Sequence, residues 1–264
     1  MMFNQPLSLF RFKSLATGIG RSLILIPLLV GPSFFDAVVA IAAEANIAAA
    51  LKGRAYEPPP GSRASGSGNT GSGGSRDWCS DDSLAAIAPQ FSGVGQSFST
   101  RPTFVWYTDS PTVGVMQFEL YQSDSDEPIF SETVLPHSNF VAYTLPATAP
   151  ALTVGETYLW QATIRCSADS DLISSWIATT VEIIESPPDM LTVEATDSAV
   201  QRAQAYASSG LWYDALAEVY EPETFDEYLL RQSLLLDLAD LEASSGNAIA
   251  IDISEQLKAL AEMF

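Results

Sequence analysis

The chain has 264 residues, 47% of them in the hydrophobic set, which is enough for a core of ordinary domain size and suggests one medium domain plus a small one. Its 32 acidic and 12 basic residues give a formal charge of −20, which opposes phosphate contacts made by Lys and Arg and argues against nucleic acid as a partner. Acidity of this kind also keeps a protein soluble without any ligand to account for it.

Residues 1–42 read as a signal peptide. Arg11, Lys13 and Arg21 form a positive n-region, Leu23 to Val30 an apolar h-region, and Val38-Val39-Ala40 or Ala40-Ile41-Ala42 a small-residue cleavage site. The alternative is an uncleaved anchor, but Pro27, Gly31-Pro32 and Asp36 interrupt the run within the roughly 20 residues a spanning helix needs. No other run could span a membrane, so the expected location is extracytoplasmic, periplasmic or secreted, with no membrane attachment after cleavage.

Residues 43–76 read as a linker that ends in EPPPGSRASGSGNTGSGGSR, too poor in apolar groups to offset its ordering entropy. It lacks the G-x-x-x-x-G-K-[ST] spacing and the feeding strand of a phosphate loop.

Residues 77–185 read as a β-sandwich. Strands are expected at Gln96–Ser99, around Phe104 and Trp106, at Met116–Leu120, Ile129–Val134, Phe140–Leu145, Tyr158–Cys166 and Trp176–Ile184. That makes about seven, at roughly the 8–12 residue spacing of an all-β domain, and favours an immunoglobulin-like or fibronectin-like topology over a closed barrel. Leu152-x-x-Gly155-x-x-Tyr158 has the spacing of a tyrosine corner. From there Tyr158, Trp160, Ala162, Ile164 and Cys166 share one face, with Gln161, Thr163 and Arg165 on the other. In an oxidising compartment Cys79 and Cys166 can form the one intrachain disulfide, closing a long loop for roughly 4–5 kcal/mol in the chain-entropy model; two buried free thiols are the alternative. Two cysteines and the single His137 do not complete a tetrahedral zinc site, and no metal or cofactor is expected.

Residues 186–264 change period from two to nearly four and read as an acidic α-helical segment. Val193, Val200, Ala203 and Tyr206 fit one helix that stops at Gly210, and Leu211-Trp212 open another that runs to Tyr220. Pro222 breaks the chain, Thr224 to Glu227 has capping-box spacing before the apolar run Tyr228–Leu241, and Asp252 to Glu255 caps a last helix carrying Ile253, Leu257, Leu260 and Phe264. Tyr206-x-x-x-Gly210-x-Trp212-x-x-Ala215 resembles the packing core of a single tetratricopeptide hairpin; one copy supports a hairpin rather than a repeat array.

GGSRDWC at Gly73–Cys79, RPTFVWY at Arg101–Tyr107, FEL at Phe118–Leu120, LTVGETYLWQATIRC at Leu152–Cys166, SWI at Ser175–Ile177 and YASSGLWYDAL at Tyr206–Leu216 resemble the successive blocks of a cyanobacterial exported family known as domain of unknown function nine-two-eight. The resemblance covers roughly residues 55 to 245 and implies a cyanobacterial source and an extracytoplasmic location. It implies no activity and assigns no catalytic residue.

Catalytic signals are sparse. His137 lies in a Pro136-His137-Ser138-Asn139 turn, where a solvated loop residue is the simpler reading than a triad base, and no G-x-S-x-G elbow accompanies it. Asp124 with Asp126, and Asp169 with Asp171, could each offer calcium oxygens, but both stretches lack the full loop and read better as hairpin turns. The aromatic residues around Val105–Tyr107 and Trp176–Ile177 lie on both strand faces, so they form either a ligand platform or the floor on which the helices pack. The expectation is therefore a non-enzymatic envelope protein that recognises an unidentified protein partner through acidic residues such as Glu218, Glu221, Glu223 and Asp226. The alternative is a carbohydrate-active protein that binds or hydrolyses envelope polysaccharide through exposed aromatics and paired carboxylates.

Overall fold

Alternating apolar residues build two sheets whose inner faces share one aromatic core. The computed structural model describes residues 55–61, 69–71, 83–109, 115–123, 125–165 and 173–263. Its strands are β1 (Asn69–Gly71), β2 (Leu84–Ala86), β3 (Gly95–Ser97), β4 (Thr103–Thr108), β5 (Val115–Gln122), β6 (Pro128–Val134), β7 (Phe140–Thr144), β8 (Thr157–Arg165) and β9 (Ile173–Ile183). One sheet runs β1-β9-β8-β5-β6, with β3 pairing parallel to β9 beyond β1; the other runs β2-β4-β7. The result is a sheet-rich, sandwich-like fold followed by helices.

The period-two reading of the central strands holds. Met116, Phe118 and Leu120 of β5 and Tyr158, Trp160, Ala162 and Ile164 of β8 are buried, and β5 and β8 pair in antiparallel register with Phe118 opposite Ala162 and Leu120 opposite Trp160. Phe104 of the smaller sheet lies 5.0 Å from Phe118 and 5.4 Å from Trp160, centroid to centroid, which ties the sheets through offset ring contacts. β2 has no counterpart among the expected strands: Leu84-Ala85-Ala86 has little β-propensity and extends by pairing with Trp106–Thr108 of β4.

The helices are α1 (Met190–Glu194), α2 (Ala199–Ser208), α3 (Trp212–Ala217), α4 (Phe225–Ser244) and α5 (Ala248–Ala261). Two boundaries differ from expectation. The single helix through Val193 and Tyr206 is split, because Ser198 takes an extended conformation and its side chain accepts the Gln201 N–H, starting α2 afresh. The last helix begins at Ala248 under Asn247, whose Oδ1 accepts the Ile249 N–H, so Asp252 and Glu255 lie within it rather than capping it. Gly210, at φ 82°, ends the α2 turn, and Thr224 with Glu227 forms the expected capping box on α4.

The aromatics on both faces of β4 are covered rather than displayed. Tyr213 of α3 reaches between the sheets, its ring 5.8 Å from Phe104 while its hydroxyl accepts from Trp160 Nε1 and donates to the Thr180 carbonyl, both at 2.8 Å. Trp212 beside it is fully buried and donates Nε1–H to the Ile87 carbonyl at 2.9 Å. On the outer face of β4–β7, Phe140 lies under the Arg231 guanidinium of α4 at 5.0 Å. The described residues accordingly form one compact unit in which helices and sheets share a core.

Ala55–Gly61, inside the stretch read as a linker, is docked. Tyr56 is buried edge-on against Trp212 at 4.8 Å; the Ala55 and Tyr56 N–H groups donate to Asp237 of α4, and Glu57 N–H donates to the Ala207 carbonyl. Asn69–Gly71 pairs with β9. A free tether is thus not the state of these two pieces; composition concealed the single anchoring tyrosine.

Candidate functional site

Three acids of the helical segment face inward. Asp214, Asp237 and Glu242 each receive backbone N–H groups of the N-terminal half of the chain. Asp214 accepts from Ser97 Oγ at 3.0 Å and Phe98 N–H at 3.2 Å. Glu242, wholly buried, accepts from Gln90 N–H at 2.8 Å, Phe91 N–H at 2.9 Å and Ser92 Oγ at 2.7 Å. Charge-assisted bonds of this type are roughly twice as strong as neutral ones, so these acids fasten the helices to the sandwich and leave fewer to meet a partner.

The acids picked from sequence separate accordingly. Glu218 lies on the turn after α3 and is paired with Arg202 at 2.6 Å. Glu221 and Glu223 stand exposed in the loop between α3 and α4, and Asp226 is exposed in the first turn of α4. Leu152 and Tyr158 are buried, Gly155 has φ 88°, and the Tyr158 hydroxyl accepts the Thr153 N–H at 3.0 Å, closing the bend into β8. His137 is exposed in the β6–β7 connection and Asp126 in the β5–β6 turn. Cys79, Cys166, Trp78, Asp124, Asp169 and Asp171 lie outside the described residues. Among the described residues no group of three or more His, Cys, Asp or Glu side chains could hold a metal ion, and no helix is long and apolar enough to cross a membrane.

Glu221 and Glu223 rim a groove of about 510 Å³. Its walls come from distant parts of the chain: Ser138, Asn139 and Phe140 at the start of β7, Tyr220 to Thr224 in the α3–α4 loop, and Tyr228 and Arg231 on α4. The capping box holds the loop, since the Glu227 carboxylate accepts both the Glu223 and Thr224 N–H groups. Arg231 forms the floor, donating to the Tyr220 carbonyl at 2.9 Å and lying 5.8 Å from the Tyr228 ring as well as over Phe140. Burial holds this guanidinium below its usual pKa, yet it keeps its charge at any ordinary pH. Phe225 stacks on Tyr228 at 6.2 Å and extends the aromatic surface outward, being 72% exposed. A mostly apolar hollow with a few directed polar groups is the usual form of a binding site. Sequence pointed to the acids but not to the hollow: Phe140 and Ser138 precede Tyr220 by some 80 positions, and no local pattern links them.

No curated protein matches the chain. The family model Domain of Unknown Function (DUF928) matches residues 69–244, which span β1 through α4 and so include both sheets, the buried Trp160–Tyr213 contact and every wall of the groove; the chain belongs to this family.

Proposed function

We propose that the protein is a non-enzymatic interaction module of the cell envelope that binds a basic protein partner through the groove between β7 and α4. The observation that carries this reading is the pairing of aromatic walls, Phe140 and Tyr228, with the exposed acids Glu221, Glu223 and Asp226, which make no salt bridge among the described residues. Trp106, Trp160 and Trp212 are fully buried in the shared core and Trp176 is half-buried, which favours a protein partner over a polysaccharide held on a row of open tryptophans. Export of the protein after cleavage near Ala43, a Cys79–Cys166 disulfide and the cyanobacterial source implied by the sequence blocks belong to the same reading.

We further infer an immunoglobulin-like or fibronectin-like topology. A three-strand sheet faces a larger one whose central strand β8 starts at the Tyr158 bend, and β3 pairs parallel to the last strand. The α2–α3 pair, with Tyr206, Gly210, Trp212 and Ala215, is read as one tetratricopeptide-like hairpin.

Retention of envelope proteins on the immobilised mature protein tests the partner. Glu221→Gln with Glu223→Gln should abolish capture that the charge-matched Asp252→Asn with Glu255→Gln retains, and elution should begin as ionic strength passes roughly 0.15 M, where the Debye length is about 8 Å. Equal capture by both double variants sinks the groove as the contact surface. The carbohydrate reading keeps one supporting feature, the aromatic rings beside Glu221 and Glu223; retention of polysaccharide alone would put it first.

A further inference from the structure

A second cleft, of about 440 Å³, lies between the chain leading into β4 and helices α1, α2 and α3, and it shares no lining residue with the groove. Three acids from three places converge there: Glu194 at the end of α1, Asp214 on α3 and Glu218 just after it. At its floor lies Tyr206, 4% exposed, whose hydroxyl has no hydrogen-bond partner among the described residues. Burial, and then the charges of Glu218, Glu194 and Asp214, raise the pKa of that hydroxyl, which places it among the acids rather than away from them. The Phe98 ring stands 5.5 Å from the Tyr206 ring.

Two guanidinium groups are near, Arg101 in the lining and Arg202 close enough to lower the Tyr206 pKa, and both are engaged by the protein's own oxygens. Arg101 donates to the carbonyls of Pro146 and Ala149, and Arg202 is directed at Glu218 and the Thr196 carbonyl. Asp214 already accepts from Ser97 and Phe98. Glu194 has no partner among the described residues, so a buried phenol and an open carboxylate remain as acceptors in an acidic hollow walled by two aromatic rings. A ligand that answers them carries several N–H donors, a positive charge and an apolar stem.

We propose that this cleft binds a primary alkylammonium group, from a free aliphatic diamine or from a lysine side chain of a protein, with Glu194 as the counter-charge, the Tyr206 hydroxyl as acceptor and the Phe98 and Tyr206 rings along the stem. A compact ammonium can turn its three donors to separate acceptors, as the Glu194 carboxylate and the Tyr206 hydroxyl are here.

Titration calorimetry of the full-length protein at low salt tests this with cadaverine, Nα-acetyl-lysine methylamide and 1-pentanol. Saturable one-to-one binding is expected for cadaverine and none for 1-pentanol. Affinity for cadaverine should fall about tenfold in Glu194→Gln with Tyr206→Phe, and remain within about twofold in Asp252→Asn, which removes one exposed acid of α5. If acetyl-lysine methylamide binds as well as cadaverine, the natural source is a lysine side chain; if it binds far more weakly, the source is a free diamine. No saturable heat from either amine at about 10 mM, unchanged binding in the Glu194–Tyr206 variant, or an equal loss in Asp252→Asn overturns the proposal. None of these results depends on the groove at Glu221 and Glu223.

Discussion

Asp214 is held by opposing effects. Desolvation pushes its carboxyl up to about 7, while the donors Ser97 Oγ and Phe98 N–H pull it down. The folded state therefore keeps the proton to a higher pH than the unfolded chain, where the group titrates near 3.8. Stability from this residue is greatest at acid pH and is lost as pH rises from about 4 to about 7, levelling off above. Asparagine can offer its carbonyl to Phe98 N–H and its amide to Ser97 Oγ without titrating. Urea midpoints should therefore show the wild type losing ground to Asp214→Asn between pH 5 and pH 8; a gap constant across that range would mean the carboxyl stays ionised. Glu242→Ala has a simpler expectation. It strands the Gln90, Phe91 and Ser92 donors and should cost about 3 kcal/mol or more in chemical unfolding. Tyr213→Phe removes the acceptor of Trp160 Nε1–H and should cost about 1–3 kcal/mol.

At the scale of elements, the N-terminal strap Ala55–Pro60 and helices α2 to α4 depend on one another. Tyr56 fills the site beside Trp212, and Pro59 lies so close to Gly210 that an added Cβ there would meet its Cγ at 2.9 Å, on a backbone whose φ of 82° already disfavours any side chain. Tyr56→Ala should cost about 3–5 kcal/mol and lower the melting temperature by about 10 °C. A shift under 2 °C would show that the strap contributes nothing to the helical layer. Gly210→Ala combines both penalties and should be worse tolerated than alanine at Gly155, where φ is equally positive but nothing lies within 4 Å of the added Cβ. Thermal scans of the two variants side by side give the comparison.

For the whole molecule, the shared core decides how function can be dissected. Removing residues 186–264 takes away Tyr213 and Trp212 and uncovers Trp160, Ile87 and the outer face of β4 and β7. The truncated sandwich should bind the dye ANS strongly and aggregate, because a surface of that kind is not left open on a soluble domain. A monomeric, cooperatively unfolding truncation would show that the sheets are an independent domain. Point variants in the groove and the cleft are therefore the cleaner probes of binding, since Glu194, Glu221 and Glu223 are exposed.

Local sequence was sufficient where a short-range rule governs. Alternation at Met116–Leu120 and Tyr158–Ile164 gave the inner faces of β5 and β8, and Thr224 with Glu227 gave the start of α4. It was insufficient wherever partners are far apart in the chain. Ala55 and Tyr56 meet Asp237, Gln90 meets Glu242, and Tyr213 meets Trp160, across separations of 182, 181, 152 and 53 residues. The same limit applies to function. Composition showed an acidic helical segment but not which acids bind the protein's own backbone, because an Asp on a helix reads alike whether it faces water or a buried N–H. Only packing sets Asp214, Asp237 and Glu242 apart from Glu221 and Glu223, since the cost of burying a carboxylate is offset only where the folded chain brings donors to it.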